Sequence, residues 1–267
     1  EIVMRMVRQH RLAPLLHWSL PQRYPGENIP EEVTAELAES FRNSSLRSLI
    51  LQRELVQMHT VLDKANIPYA ALKGAYLAFH AYPHAALRPM RDLDILVPRE
   101  MALDAHQILI DAGYWRPKQY RGDIHACLEV DKHFPPLRSP SGKVDIEMHF
   151  RLFNPARDGQ EKPDLSDNPG LWQRLIHRPI ANKPLPYLSP TDLLLHLMIH
   201  AAYDHRFNNG PLLMSDLAYL IDSHDIDWPL LRQLAHGGDW SRGCLLSLQM
   251  TERYYELPRI DFADSDS

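Results

Sequence analysis

The residues of this chain best suited to chemistry are two aspartates one position apart in "RPMRDLDILV", Arg88 to Val97. Successive side chains on a strand point to opposite faces, so Asp92 and Asp94 share one face while Leu93, Ile95 and Val97 take the other. Two carboxylates side by side repel unless a cation or a positive side chain stands between them. Hard oxygen ligands at such spacing suit Mg²⁺, which commonly takes one or two protein carboxylates plus substrate phosphates. The stretch "KVDIEMHF" repeats the pattern, with Asp145, Glu147 and His149 on one face and Val144, Ile146 and Met148 on the other. Two neighbouring strands of this kind would gather three or four carboxylates around a metal pair roughly 3.5–4 Å apart, the arrangement that stabilises attacking and leaving oxygens in phosphoryl transfer. A single Asp-x-Asp is ordinarily the polar face of a half-exposed strand. Two acidic strands in one small region favour the metal reading.

Upstream, "ALKGAYLAFHAY" reads as strand, turn and helix. Gly74 would let the chain turn sharply, free N–H groups at the helix start could hold a phosphate, and Lys73 would add a point charge. Taken alone, this is an ordinary strand-helix turn. Arg88 and Arg91 precede the acids and would either clamp a triphosphate or neutralise the acidic pair. Further on, His196, His200 and Asp204 fall at i, i+4 and i+8 of one helix. Two histidines so spaced can bind zinc, but the zinc-protease motif needs Glu beside the first, where Leu197 stands. The bland reading is a pair of hydrogen-bonded histidines on an amphipathic helix. A third reading has His200, Asp204 and Asp216 lining a cleft against the sheet and touching a nucleotide or acceptor.

These residues need a frame. Residues 2–20 read as helix divided near Pro14, and 30–65 as one long helix with Leu37, Phe41, Leu55 and Leu62 at helical spacing. Residues 94–97 read as strand and 99–112 as amphipathic helix with Gly113 as its cap. Further strands are expected near 114–118, 125–131 and 143–150, the last two joined through "PPLRSPSGK", with a loop over 154–170. The remainder reads as helices at 191–206, 211–223, 228–236 and 240–256, with Ser189 or Thr191 as a cap. The expected fold is α+β: a small mixed sheet flanked by helical regions. The expected organisation is an N-terminal helical region 1–66, an α/β core 67–153, a linker 154–190 and a C-terminal helical region 191–267.

Composition sets outer bounds. The 267 residues suffice for one or two domains, and 45% apolar with 24% charged residues is ordinary for a globular protein. A net charge of -5 argues against bulk attraction to nucleic acid. Cys127 and Cys244 form no CxxC, so no thiolate metal site is indicated, and a reducing, cytoplasmic compartment fits. No apolar run approaches membrane-spanning length, so no membrane partner is expected. The chain opens on Glu1 inside an apparent helix, so it is expected to lack its natural N-terminus.

"LKG", then "R…RDLDILV", then "VDIEMHF" resemble the polymerase-β-type nucleotidyltransferase superfamily. More closely, the chain from about residue 10 to 250 resembles an uncharacterised bacterial nucleotidyltransferase family with "LKG", "R…DiDllv" and a "DLHW"-like strand, here Glu147-Met148-His149-Phe150. The segments "SPTDLLLHLMIHAAYDH" and "SDLAYLI" are similar to that family's helical C-terminal part. The resemblance implies metal-dependent transfer of a nucleoside monophosphate from an NTP to an acceptor hydroxyl. Asp92, Asp94 and Glu147 would hold Mg²⁺ or Mn²⁺, with Asp145 the competing third acid. Lys73, Gly74, Arg88, Arg91, His149 and His200 would contact the nucleotide. The acceptor would be a protein, a small molecule or a sugar ahead of an RNA end. Two alternatives stay open: an inactive nucleotide-binding module on the same fold, and a metal-dependent hydrolase using the C-terminal histidines.

Overall fold

In the computed structural model, residues 1–120, 122–154, 164–208, 210–257 and 262 are described. The chain begins with helices α1 (Ile2–Gln9) and α2 (Ala13–Arg23), with Pro14 in the first turn of α2, where its missing N–H costs nothing. Helix α3 runs from Glu31 to Lys64. Glu31 and Glu32 sit at its positive end, and Leu51, Leu55, Met58 and Leu62 form a buried stripe along it. Strand β1 (Ala70–Ala71) leads through Lys73 into helix α4 (Gly74–Tyr76), which continues as one wide π-type turn over Leu77–Ala81. The acidic strand is β2 (Asp92–Leu96). Helix α5 (Ala102–Asp111) follows, and Gly113 then takes φ +92, a conformation that favours glycine.

Residues Ile124–Val130 are helix α6, not the strand expected there. The side chain of Asp123 accepts from the His125 N–H and caps the helix, and Ala126, Leu128 and Glu129 within it are good helix formers. The hairpin partner of β4 (Asp145–His149) is instead the short β3 (Leu137–Arg138). Helix α7 (Pro169–Gln173) precedes strands β5 (Ile176–Ile180) and β6 (Lys183–Tyr187). This antiparallel hairpin lies in the segment read as linker, and residues 155–163 of that segment lie outside those described. Its prolines masked the strand signal. Pro179 lies on the edge strand β5, and Pro184 and Pro186 precede Tyr187, the β6 residue that is in register with β1.

The sheet runs β3-β4-β2-β1-β6-β5, with β2 parallel to β4 and β1 antiparallel to β2. Helices α8 (Pro190–Ile199), α9 (Leu212–Ser223), α10 (Trp228–Gly237) and α11 (Ser241–Glu252) complete the chain. Ser189 caps α8 by accepting from the Asp192 N–H. The protein is thus α+β, a six-stranded mixed sheet among helices. Leu93 and Ile95 on β2 and Ile146 and Met148 on β4 are buried in the main core, so the acids opposite them must face away from it.

Candidate active site

Strands β2 and β4 pair in register, Asp92 beside Asp145 and Asp94 beside Glu147. Paired residues of neighbouring strands point to the same face, so the four acids form two rungs. The rungs differ in what they meet. Asp145 is gripped by Arg138 of β3 through two hydrogen bonds, from Nε to Oδ1 and from Nη2 to Oδ2, the second at 3.0 Å. Register explains the grip, because Arg138 is the β3 residue opposite Asp145. The charge of Asp145, the competing third acid, is thus already matched by Arg138, and Asp145 is not among the residues that line the cavity with the other acids.

The Asp94 rung has other company. Lys73 Nζ donates to Asp94 Oδ1 at 2.8 Å, and His149 Nε2 reaches the same oxygen at 2.9 Å. Among the described residues, Asp94, Glu147 and His149 are a group whose ligand atoms all lie within 4.8 Å of one another. Burial alone would raise the Asp94 carboxyl, but Lys73 and His149 overrule it and hold it well below the usual carboxylate range. Burial and then the Asp94 charge push Glu147 up to about 7. The same two causes raise Asp92. Burial, with Lys73 nearby, lowers His149 to about 3, so its ring is neutral. A carboxylate can only accept, so His149 must donate its Nε2–H to Asp94. Its Nδ1 is buried without a hydrogen-bond partner among the described residues.

Local geometry fixes these positions. Lys73 has φ 44, a left-handed conformation uncommon for a side-chain-bearing residue, and it turns the chain between β1 and α4. The amides of Ala75 and Tyr76 bond back to the carbonyls of Leu72 and Lys73, which takes them away from any bound phosphate. A Cβ on Gly74 would lie 2.5 Å from Arg88 Nη1 and 2.9 Å from Met90 Sδ. Gly74 therefore serves the close passage of Arg88. Arg88 itself makes a two-pronged pair with Asp216 of α9, at 2.9 and 3.0 Å, and Tyr82 Oη donates to the same carboxylate at 2.7 Å. Arg88 thus directs its hydrogen bonds to Asp216, while it also lines the cavity and its charge favours the ionised forms of Asp92 and Asp94.

A cavity of about 800 Å³ opens over these groups, lined by Lys73, Gly74, Asp92, Asp94, Glu147 and His149 on the sheet side. Residues 1–256 match the family described as "Uncharacterised nucleotidyltransferase". The chain belongs to that family. Two solved structures are similar to it. One is the antibiotic-resistance factor ANT(2'')-Ia, at 11% identity, 78% of this chain and 100% of that chain, TM-score 0.46. The other is an antigenic nucleotidyltransferase-like protein from Paracoccidioides brasiliensis, at 16% identity, 79% of this chain and 88% of that chain, TM-score 0.46. No curated protein matches.

The opposite wall of this nucleotidyltransferase's cavity is helical. His200, Asp204, His205 and Asp216 line it, together with Lys132 and Asn154. Asp204 Oδ2 takes Lys132 Nζ at 2.5 Å and His200 Nδ1 at 3.0 Å, and His200 Nε2 meets His205 Nε2 at 3.0 Å. Burial lowers His200 to about 4, so it is neutral. His196 stacks on His200 with ring centroids 5.8 Å apart, and both of its ring nitrogens are buried without a hydrogen-bond partner among the described residues. His196, His200 and Asp204 are not a metal-binding group among the described residues. Lys132 and His205 were missed by sequence reasoning. Lys132 follows a segment misread as strand, and His205 stands one residue beyond the i, i+4, i+8 set. Among the described residues, no helix is long and apolar enough to cross a membrane.

Proposed function

We propose that the cavity transfers a nucleoside monophosphate from an NTP to an acceptor hydroxyl, with Asp94, Glu147 and Asp92 holding a divalent cation. The observation that carries this reading is the Asp94 rung: crowded carboxylates, one raised to about 7, with Lys73 only partly offsetting their charge. Such a set is short of positive charge and fits a cation. His149 turns its Nε2–H toward Asp94, so the donors facing the cavity are oxygens, which favours Mg²⁺ or Mn²⁺ over zinc. When bound, that ion would supply charge neutralisation on the triphosphate and acidify an acceptor hydroxyl.

The chain's own residues do the remainder. His149 fixes the Asp94 carboxylate in one orientation. Lys73, held beside Asp94, adds fixed positive charge where negative charge builds up as pyrophosphate leaves. Arg88 and Asp216 tie α9 to the segment that leads into β2 and so hold the two walls of the cavity at a set spacing. The acceptor oxygen forms its bond to the α-phosphorus as the bond to the bridging oxygen breaks. The His200–Asp204 wall faces the sheet across the cavity and is where an acceptor would lie. The unmatched acids favour a transferase over an inactive binding module. The acidic net charge puts protein, small-molecule or sugar acceptors ahead of RNA.

Incubating the protein with labelled NTPs and cell extract tests the reading, with Asp94→Asn as the control. Label should move to an acceptor with the wild-type chain only. Label transfer that is equal in Asp94→Asn, or absent in both, would count against the proposal.

A further inference from the structure

Arg11 joins α1 to α2 and lines the same cavity as Gly74, Arg91 and Asp92, although it lies 81 positions before Asp92 in sequence. It adopts φ 57, so the two helices meet through a left-handed residue and not by a smooth continuation. The junction is held from both sides. Val7, Ala13 and Leu37 form a small buried cluster that fixes both helices on the start of α3. His10 seats against Gly210, where an added Cβ would lie 2.6 Å from His10 Nδ1. The half-buried Arg11 is thus carried to the cavity by a braced element.

Its charge is unmatched there. Among the described residues no carboxylate stands within ion-pair distance of the Arg11 guanidinium. Burial, and then the cations Arg91 and Arg88, disfavour its charged form, against weaker support from Asp92 and Asp216. Arg88 is already spent on Asp216, whereas Arg91 is exposed at the cavity edge. A half-buried guanidinium without an ion-pair partner is costly unless an anion joins it. A guanidinium matches phosphate oxygens in a two-pronged fashion.

We infer that Arg11, with Arg91, forms the subsite for the polyphosphate tail of the nucleotide, which makes the N-terminal helix pair part of the cavity. This inference rests on the transferase reading and adds to it the residues that hold the leaving group.

The test is calorimetric titration of the full chain with inorganic tripolyphosphate, ATP and AMP, each with Mg²⁺. Arg11→Ala should weaken tripolyphosphate and ATP by roughly tenfold or more, the effect of one lost charge-assisted contact, and leave AMP unchanged. Arg11→Lys should recover part of the loss, because it keeps charge without the fork. Arg53→Ala, an exposed residue on α3, controls for lowered net charge and should bind as wild type. An unchanged melting temperature in Arg11→Ala shows that the fold is kept; if that variant fails to fold, Arg11→Lys carries the comparison. Wild-type binding of tripolyphosphate by Arg11→Ala would overturn the subsite and leave the transferase reading standing. Equal weakening of AMP would overturn it too, because the contact would then be to a monophosphate. Failure of the wild-type chain to bind either ATP or tripolyphosphate would overturn both.

Discussion

Two rungs of the same strand pair carry the same chemistry on paper and different chemistry in space. Asp92–Asp145 and Asp94–Glu147 are both register-matched carboxylate pairs. On the first, Arg138 takes Asp145 from the neighbouring strand, at 29% side-chain exposure for both partners. On the second, Lys73 comes from the strand-helix turn and His149 from the end of β4, and both converge on one oxygen of Asp94, whose side chain is 11% exposed. The first is a half-exposed ion pair of the structural kind. The second is a dehydrated cluster with more negative groups than positive ones. The comparison teaches that what sets a carboxylate's role here is the cation that topology delivers to it, not its place in an Asp-x-Asp repeat.

Matched deletions of the cation should break the likeness most visibly. Lys73→Met strands a nearly buried carboxylate, and a loss of about 3–5 kcal/mol is expected in urea unfolding. A smaller effect, about 1–3 kcal/mol, is expected for Gly74→Ala, because its methyl group would displace Arg88 from Asp216. Arg138→Met, the counterpart of the lysine swap, should cost no more than about 1 kcal/mol, and less in high salt. A double-mutant cycle on Arg138 and Asp145 would sharpen this. A coupling as large as the loss from Lys73→Met would erase the distinction between the rungs.

The pH profile adds a finer check. Burial, with Arg178 and His224 nearby, lowers His80 to about 4 from its ordinary 6.5. Below pH 6.5 the unfolded chain takes up a proton that the folded chain refuses. The His80 contribution to stability should therefore fall as pH drops from 6.5 to about 4, and level off below. His200, at about 4, and His149, at about 3, act in the same direction. Melting temperatures of wild type and His80→Leu across this range should show a shallower decline in the variant. A parallel decline would exclude His80 from the acid response.

Period-two spacing made the shared face of Asp92 and Asp94 legible in the sequence, because a core strand leaves its acids only one side to occupy. The long α3 and the C-terminal helices were legible for the matching reason, an apolar stripe of helical period. What spacing could not show was register. Whether Asp145 or Glu147 stands beside Asp94, and which of them Arg138 reaches, depends on long-range pairing between β2, β3 and β4. The segment at 125–131 misled because its apolar residues Cys127, Leu128 and Val130 gave no clear period, while the helix there is a seven-residue one started by an aspartate cap. The β5–β6 hairpin was hidden by its prolines, Pro179 on the edge strand β5 and Pro184 and Pro186 on β6. Arg11 was invisible for a simpler reason: apart from its neighbour Gln9, the residues that line the cavity begin only at Lys73.

The central claim is that the Asp94–Glu147 rung, and not Asp145, receives a divalent cation. Electron paramagnetic resonance titration of Mn²⁺, with an unreactive NTP analogue present, measures this directly in wild type, Glu147→Gln and Asp145→Asn. The expected result is binding in wild type and Asp145→Asn, with Mn²⁺ affinity at least about tenfold weaker in Glu147→Gln. Equal affinity in all three, or loss confined to Asp145→Asn, would contradict it.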